Sequence, residues 1–543
     1  MGLTITEAEV VPMSFSQADE FEQHVTNQLS KWLGAIPVLY PILRQLKVAE
    51  YVDEHCPGKE DVSHGMVINA LVLNRLMAPK PMYKVGKWIT ETILEETLGI
   101  SAEQMYDNRL GRTLDDLHPY LEPLWQDIVV QAVVDYDVDL RFLHYDITSV
   151  YFEGAYEASE KVSYGLSRDH RPDTKQINLA VNVTSETGIP LGYRVLAGRI
   201  ADRTTPVENL EALRALLDRP KLVQRQKNFL LVSDRAMLDR KVIIAYEAKT
   251  VRWLGPLQAN GALSEVQRSV PDEELAAHPL AYRPLNQPKE EPFRYQGVLR
   301  SATIEYGGQT VPIQVLVVKS RTKVNLDQER RQTSLKRLTD RLEEIQGMLN
   351  TRRYKSRDYT WAQIEKARRG NTAKNLVDIE LTGTDGELSL TYDLNSEKLS
   401  QAQVLDGRYL LGTKDFDLSA LQMLQHFKGQ EIVERRFKTV KGPIQVRPMF
   451  LHKEERIESL VFVAMIALLV YTILEMLCRR AGQSITARQV LEKFERLGVA
   501  YIQFSDGSVL KLPSALNAFQ GQLIELLRFP DPVVYLSSQE AEP

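Results

Sequence analysis

The chain has 543 residues, of which 43% are hydrophobic and 26% are charged. This balance is typical of folded globular proteins and excludes a disordered or fibrous chain. The formal net charge of -5 means that any nucleic-acid contact has to come from local basic patches. The two cysteines, Cys56 and Cys478, are too few for a disulfide framework, and we expect a cytoplasmic protein.

The first part of the chain has the pattern of several short helices. Apolar residues recur every three or four positions from about Phe21 to Trp125, and prolines interrupt the run. We predict an all-helical N-terminal domain over residues 1–135 that binds end DNA or forms multimers. The N-terminus has acidic residues early, and it lacks the positively charged residues followed by an apolar stretch that a signal peptide has. We therefore expect no signal peptide.

Strand-like segments begin at Asp139. The segments RFLHYDITSV, INLAVNV and PLGYRVLAG predict three successive strands, and VENLEALRALLD predicts a helix. NFLLVSD then predicts a fourth strand, which is apolar enough to be buried on both faces. We assign residues 136–250 to the first part of an α/β core.

The segment 251–402 does not continue this order of strands and helices, and it is predicted to be an inserted, mostly β domain. PFRYQGVLRSATIEYGG and VPIQVLVVK alternate as antiparallel strands do. A helical segment follows, with leucine and isoleucine at residues 335–349 on one face. VDIELTG and ELSLTYDL then predict a hairpin around Asp385 and Gly386.

The core is predicted to resume over residues 403–482, followed by a C-terminal segment, 483–543. GRYLLGTKD predicts a fifth strand, and Ser419 with Gln422 resembles a capping box that opens a helix reaching Lys441, with Gly429 as a candidate break. Leu460–Leu474 is a run of 15 residues, all apolar or aromatic except Thr472. A membrane span needs about 20 such residues, which favours a buried core helix.

Three acidic residues are candidates for a metal site. Asp146 lies within the first predicted strand and Asp234 ends the fourth, where a carboxylate is costly unless something binds it. Glu434 lies on the last helix of the core, on a face predicted to carry also Phe427, Gln430, Phe437, Lys438 and Lys441. Three carboxylates can hold two metal ions that align a nucleophile with a phosphodiester. The alternatives are structural aspartates and, for Glu434, ordinary surface charge.

These residues, in this order, resemble the DDE transposases of bacterial insertion sequences. The segments YGLSRDHRPDTKQINLAVNV, GRIADRTT and VERRFKTVKGP carry the resemblance. Glu434 and Lys441 match the family's Tyr, Arg, Glu, Lys signature, whereas Phe427 and Gln430 replace its Tyr and Arg. The resemblance implies an α/β fold with an RNase H-like core, a helical N-terminal domain and an insertion before the last acid.

The resemblance also implies an activity and its partners. Asp146, Asp234 and Glu434 would be the catalytic residues and the ligands of two Mg²⁺ ions, with Mn²⁺ as a substitute, and Lys441 would contact phosphate. The enzyme would cleave at the ends of its element and join the 3′-hydroxyls to target DNA. The implied partners are double-stranded DNA, as terminal inverted repeats and target, and further copies of the chain, with a dimer favoured and no membrane.

Two basic stretches are candidate DNA contacts. Residues 352–369 contain seven Lys/Arg against two acids, with aromatic residues between them, and residues 435–453 contain six Lys/Arg and no acid. The predicted DNA-binding residues are Arg352, Arg353, Arg357, Arg368, Gln430, Arg435, Arg436, Lys438 and Lys441. For the first stretch the alternative is a solvated helical face. Trp253 and Asp202 are weaker candidates, for which a buried Trp and a loop Asp are the favoured interpretations.

Two other functions remain open from the sequence. A metal-dependent nuclease would use the same three acids without joining DNA, and a decayed transposase would bind DNA without catalysis. The chain has no GxxxxGK[ST] phosphate loop, which argues against an ATP-driven enzyme.

Overall fold

A computed structural model of the chain describes residues 25–58, 61–154, 156–157, 159–224, 228–234, 237–284, 286–446 and 451–536. The structure is mixed α/β and divides into two compact units. Unit 1 comprises Met1–Ala201, Glu208–Lys227 and Glu431–Pro543, and unit 2 comprises Asp202–Val207 and Asn228–Gln430. The five-segment division made from the sequence stays a prediction.

The helices of the described residues fall in three stretches of the chain. Those in the N-terminal third are α1 (Ile36–Gln45), α2 (Val48–His55), α3 (His64–Met77), α4 (Val85–Thr90), α5 (Leu94–Leu98), α6 (Asp107–Leu117) and α7 (Leu121–Asp135). The middle of the chain forms α8 (Pro206–Leu217), α9 (Arg240–Ala248), α10 (Ala262–Ser269), α11 (Asp272–Ala277), α12 (Arg321–Met348), α13 (Arg357–Arg368) and α14 (Ser396–Val404). The last third forms α15 (Ala420–Lys428), α16 (Glu431–Lys441), α17 (Glu454–Arg480), α18 (Ala487–Phe494) and α19 (Ala518–Leu527).

The strands are distributed over both units. Unit 1 contains β1 (Val25–Trp32), β2 (Phe142–Tyr151), β3 (Gln176–Thr184), β4 (Pro190–Ala197), β13 (Gly498–Phe504) and β14 (Val509–Pro513). Unit 2 contains β5 (Leu230–Ser233), β6 (Arg252–Leu257), β7 (Pro279–Leu280), β8 (Tyr295–Tyr306), β9 (Gln309–Ser320), β10 (Val377–Thr382), β11 (Ser389–Leu394) and β12 (Arg408–Thr413).

Strands β2, β3 and β4 form the central sheet of unit 1. They pair antiparallel, with Asp146 opposite Val181 and Ser149 opposite Asn178. Every residue of β3 is buried, as expected for a middle strand whose two faces are both covered. Three antiparallel strands, helix α8, strand β5, helix α9 and strand β6 follow one another in the chain, which is the element order expected of the RNase H-like core.

Helix α17 is the core helix of unit 1. It is the one helix in the described residues that is long and apolar enough to cross a membrane, but 89% of its most apolar window is buried. It packs against α1, α3 and α6 of the N-terminal region and against β4 and α16. The burial confirms the interpretation of residues 460–474 as part of a core helix.

The N-terminal region is helical from Ile36, as predicted, but the helical interpretation is wrong for Val25–Trp32. These residues form β1, which pairs antiparallel with β13 from the C-terminal segment. Most side chains of β1 are exposed, so no alternating apolar pattern marked the strand. Its partner lies more than 450 residues away in sequence, and it is this pairing that makes the segment a strand. Residues 1–24 lie outside the described part of the chain.

Unit 2 is built on a sheet with the order β5-β6-β12-β9-β8-β7. β5 and β6 are parallel and the other neighbours are antiparallel. The predicted pair β8–β9 therefore joins the same sheet as β12. The predicted hairpin β10–β11 pairs separately and forms its own hydrophobic cluster with α12 and α13, which includes Leu338, Leu342, Ile345, Ile364 and Leu390.

Candidate active site

Asp146 occupies the middle of β2, between two side chains that the fold buries completely. Tyr145 and Ile147 are at most 2% exposed, whereas Asp146 is half-buried. The Asp146 Oδ1 atom accepts a hydrogen bond of 2.7 Å from the backbone N–H of Ile147. A carboxylate at such a position loses much of its hydration, which is the property expected of a metal ligand held in a rigid strand.

Glu434 lies in the first turn of α16, in the same unit as Asp146. Glu431 and Glu434 are near the start of the helix and Lys438 and Lys441 are near its end, an order that favours the helix through its dipole. The buried side chains of α16 include Ile432, Val433, Phe437 and Val440, so Phe437, which was predicted on the face of the exposed Glu434, belongs to the buried face instead. Helix α16 packs against β2 and β3, so two of the three predicted acids lie on adjoining elements of one unit.

Asp234 directly follows β5 in unit 2. All four residues of β5 are buried, as predicted, and Asp234 itself is exposed. Among the described residues, no group of three or more His, Cys, Asp or Glu side chains could hold a metal ion. Carboxylate oxygens are the donors that Mg²⁺ prefers, so the donor chemistry fits. The assembly of all three acids around a metal stays a prediction.

Lys441, the predicted phosphate contact, is held by an aspartate that the sequence did not single out. Its Nζ atom donates to Oδ1 of Asp169 at 2.9 Å, and the two side chains are only 10% and 15% exposed. The adjacent Arg168 N–H donates to Ser149 Oγ on β2 at 2.9 Å. This loop therefore ties the end of α16 to the strand of Asp146. The one signal for Asp169 was its place in YGLSRDHRPD.

Arg436 does not fit the predicted DNA contact. It is 2% exposed, and its guanidinium donates to the carbonyls of Gly188 (3.1 Å) and Thr187 (2.6 Å) and to Glu475 (2.7 Å). All three of its nitrogen atoms are thus bound within unit 1. Arg436 anchors α16 to the turn between β3 and β4 and to α17, and the expectation of a DNA contact at Arg436 is corrected.

Phe427 and Gln430 do not share the helix of Glu434. The predicted capping box at Ser419 and Gln422 opens α15, which ends at Lys428, and α16 starts at Glu431. The break falls at Gly429, the candidate position. The prediction of one continuous helical face from Phe427 to Lys441 is therefore wrong, because Phe427 belongs to α15 and Gln430 to the connection.

The sequence of the chain matches a known protein family. Residues 140–470, more than half of the chain, match the model of the transposase DDE domain. The chain belongs to the DDE transposase family. Residues 29–130 of this DDE transposase match a domain of unknown function, DUF4277, which covers most of the N-terminal helices.

Solved transposase structures are also similar to the chain. The piggyBac transposase synaptic complex with hairpin DNA aligns with 85% of this chain and 78% of that chain, at 8% identity and a TM-score of 0.39. A Mos1 transposase paired-end complex with the left transposon end aligns with 39% and 63%, at 15% identity and a TM-score of 0.16. The Mos1 mariner paired-end complex with Mn aligns with 34% and 56%, at 17% identity and the same TM-score. No curated protein matches the sequence.

The remaining predicted DNA contacts of the transposase differ in exposure. Arg435 and Lys438 on α16 are exposed, as are Arg352 and Arg353, which belong to a short 3-10 helix before α13. Those two arginines line an open depression together with Lys355, Tyr359 and Gly386. Residues 447–450 of the second basic stretch lie outside the described part of the chain.

Two of the predicted arginines already make contacts within unit 2. The Arg357 guanidinium donates to the Gly383 carbonyl at 3.1 Å, and Arg368 pairs with Glu365 at 2.6 Å. Trp253 is completely buried, in agreement with the favoured interpretation, whereas Asp202 begins a short 3-10 helix and does not lie in a loop. DNA contact by the arginines stays a prediction.

Proposed function

We propose that this DDE transposase cleaves DNA at the ends of its own insertion sequence and joins the freed 3′-hydroxyls to target DNA. The observation that carries the proposal is the placement of Asp146 on β2 and Glu434 on α16, two elements that pack together inside unit 1. Both residues lie within the segment that matches the transposase DDE domain.

The acids would hold divalent metal ions. Asp146, Asp234 and Glu434 supply hard oxygen donors, for which Mg²⁺ is the expected ion and Mn²⁺ the substitute. When bound, a pair of such ions polarises the phosphodiester and steadies the attacking and leaving oxygens. The chain's own contribution is to fix the ligands, because β2 pairs along its whole length with the buried strand β3 and α16 is anchored through Arg436.

The proposed reaction has two steps that use the same site. Water attacks phosphorus at the end of the element, the P–O3′ bond breaks, and a 3′-hydroxyl is released. That hydroxyl then attacks a target phosphodiester, forms a new P–O3′ bond and displaces the target's own 3′-hydroxyl. Lys441 would exchange Asp169 for a DNA phosphate, and Arg435 and Lys438 would contact the backbone beside it.

The proposed partners are the terminal inverted repeats, target DNA and further copies of the chain. Joining both ends of one element requires two active sites, for which a dimer is the simplest assembly. We propose that the enzyme acts in the cytoplasm, on the bacterial chromosome.

A cleavage and joining assay tests the proposal. Purified protein is incubated with Mg²⁺, a duplex carrying the inverted repeat that flanks the gene, and a supercoiled plasmid. Wild-type protein should nick the duplex at the repeat and link it to the plasmid. Asp146→Asn, Asp234→Asn and Glu434→Gln should each lower the cleavage rate by roughly 10²- to 10³-fold or more, with DNA affinity largely kept.

Glu431→Gln is the matched control, because Glu431 is an exposed acid in the same first turn of α16. It removes the same charge and should leave cleavage close to wild type. Full activity in any one of the three acid variants would overturn the site assignment. Cleavage without plasmid linkage would identify a nuclease, and specific binding without any cleavage would identify an inactive relic.

A further inference from the structure

The segment Tyr164–Leu166, here called the apolar tip, exposes two large hydrophobic side chains. Tyr164 is 61% exposed. Leu166 is 79% exposed, which is more than any other large hydrophobic side chain in the described residues. Single exposed hydrophobic residues are common on protein surfaces, so exposure alone decides nothing. The way in which the backbone of the tip is held is what makes it unusual.

The apolar tip is fixed by close packing of two glycines. A Cβ atom on Gly165 would lie 1.8 Å from the carbonyl oxygen of Gly198, so no larger residue fits there. Ser163, just before the tip, exchanges two backbone hydrogen bonds with Gln176 at the start of β3, of 3.1 and 2.9 Å. The tip therefore projects Leu166 from a rigid base.

Two buried amides on β3 complete this base. Gln176, which is 1% exposed, donates through Nε2 to the Leu166 carbonyl at 3.0 Å. Asn178 donates through Nδ2 to the carbonyls of Gly198 (3.3 Å) and Ile200 (3.2 Å). Ile200 is itself an exposed hydrophobic residue. Strand β3 thus holds two neighbouring loops through these amides, the one with Leu166 and the one with Ile200.

The chain after the tip leads directly to the candidate active site. Arg168, two residues beyond Leu166, is bonded to Ser149 on β2, the strand that carries Asp146. Asp169 then pairs with Lys441 on α16. Between Lys161 and Lys175 the chain has four Lys/Arg and two Asp, a local net charge of +2 in a protein whose net charge is -5. This local excess matches a polyanionic partner.

We propose that Leu166, flanked by Tyr164 and Ile200, is a wedge that enters the DNA helix next to the cleaved phosphodiester and unstacks a base step. Apolar side chains such as Leu and Ile insert between base steps in this way, and the distortion is offset by the contacts that it opens. The inference rests on the proposed function, since it takes DNA as the occupant of the site. The wedge would bend or open the DNA at the cleaved end, which contacts to the backbone of an undistorted duplex would not do.

Permanganate probing tests the wedge, because permanganate oxidises thymines whose bases have left the stack. Wild-type protein bound to the flanking-repeat duplex should make thymines near the cleavage position reactive. Leu166→Ser should abolish this reactivity, slow cleavage about tenfold and lower DNA affinity by less than threefold. Leu512→Ser is the control, since Leu512 is an exposed leucine of β14 in the same unit, and it should behave as wild type.

The outcomes separate the wedge from the proposed function. The Asp146→Asn variant should lose cleavage while keeping the reactive thymines, because it leaves the tip intact. If the wild-type protein cleaves normally but makes no thymine reactive, the wedge is wrong and the proposed function stands. The same holds if thymines stay reactive in the complex with Leu166→Ser. Absence of both DNA binding and cleavage in the wild type overturns both proposals. A changed sedimentation coefficient in Leu166→Ser with unchanged thymine reactivity would mark a surface between copies instead, and the wedge would be wrong.

Discussion

Two basic stretches that look alike in sequence have different structures. In residues 352–369, Arg352 and Arg353 are exposed at the rim of an open depression. In residues 435–441, Arg435 and Lys438 are exposed, whereas Arg436 between them is buried. Helical periodicity explains the difference, since Val433, Arg436, Phe437 and Val440 recur at three- and four-residue steps and form the buried face of α16. A count of cations therefore overstates the charge that α16 presents.

The buried arginine is tolerated because every nitrogen has a partner. Burial lowers the pKa of the Arg436 guanidinium, and the neighbouring Glu475 carboxylate opposes that shift. The carbonyls of Thr187 and Gly188 take the remaining N–H groups. A network of this kind positions α16, and with it Glu434, more firmly than apolar contact alone, because the guanidinium can satisfy its donors in one orientation only.

The largest expected effect comes from breaking this network. Arg436→Met leaves the Glu475 carboxylate, whose side chain is only 13% exposed, without its cation, and the loss of one partner from a buried pair costs about 3 to 5 kcal/mol. We expect a loss of unfolding free energy of this size for the transition of unit 1, measured by urea denaturation. Arg435→Met, at the exposed neighbouring position, should change it by about 0.5 kcal/mol or less. Equal effects of the two substitutions would show that Arg436 is not an anchor.

A smaller effect is expected from a substitution of Gly188, whose carbonyl accepts a hydrogen bond from Arg436. Gly188 has φ of +69°, and a Cβ atom there would lie 2.5 Å from Arg436 Nε and 2.8 Å from Ile432 Cγ1. Gly188→Ala should destabilise unit 1 by about 1 to 3 kcal/mol and should lower cleavage, because α16 has to shift.

The matched control for that substitution is Gly521→Ala on α19. Nothing lies within 4 Å of a Cβ atom at Gly521, so alanine should stabilise this helix by about 0.5 to 1 kcal/mol. Differential scanning calorimetry should therefore show opposite shifts of the melting temperature for the two variants. A shift of the same sign in both would contradict the packing around Gly188.

The elements of the core could be predicted because their patterns are local. The apolar segments of β2, β3, β4 and β5 each predicted a strand, and Gly429 correctly marked the break before α16. Glu434 and Lys441, seven positions apart, stay on one helix because both lie after that break. Phe427 lies before the break, in α15, and Gln430 lies in the connection between the two helices.

The contacts that organise the site could not be predicted because they join distant parts of the chain. Lys441 and Asp169 are 272 residues apart, and Arg436 and Gly188 are 248 apart. Strand β1 depends on β13 in the same way. Periodicity reports which residues face the interior, but the partner that a buried polar side chain finds there is a property of the assembled fold.

The smallest expected effect is on the salt dependence of DNA affinity. It tests whether DNA contacts a local group of arginines or responds to the net charge of the protein. Arg353→Gln should reduce the slope of log affinity against log salt concentration by about 1, because one phosphate contact and its released counterion are lost. Lys289→Gln is the control, since Lys289 is also an exposed cation of unit 2 and the same unit of charge is removed. Fluorescence anisotropy over a series of salt concentrations measures both slopes. If Lys289→Gln lowers the slope as much as Arg353→Gln, the DNA responds to the net charge of the protein, and the exposed arginines before α13 are not a DNA contact.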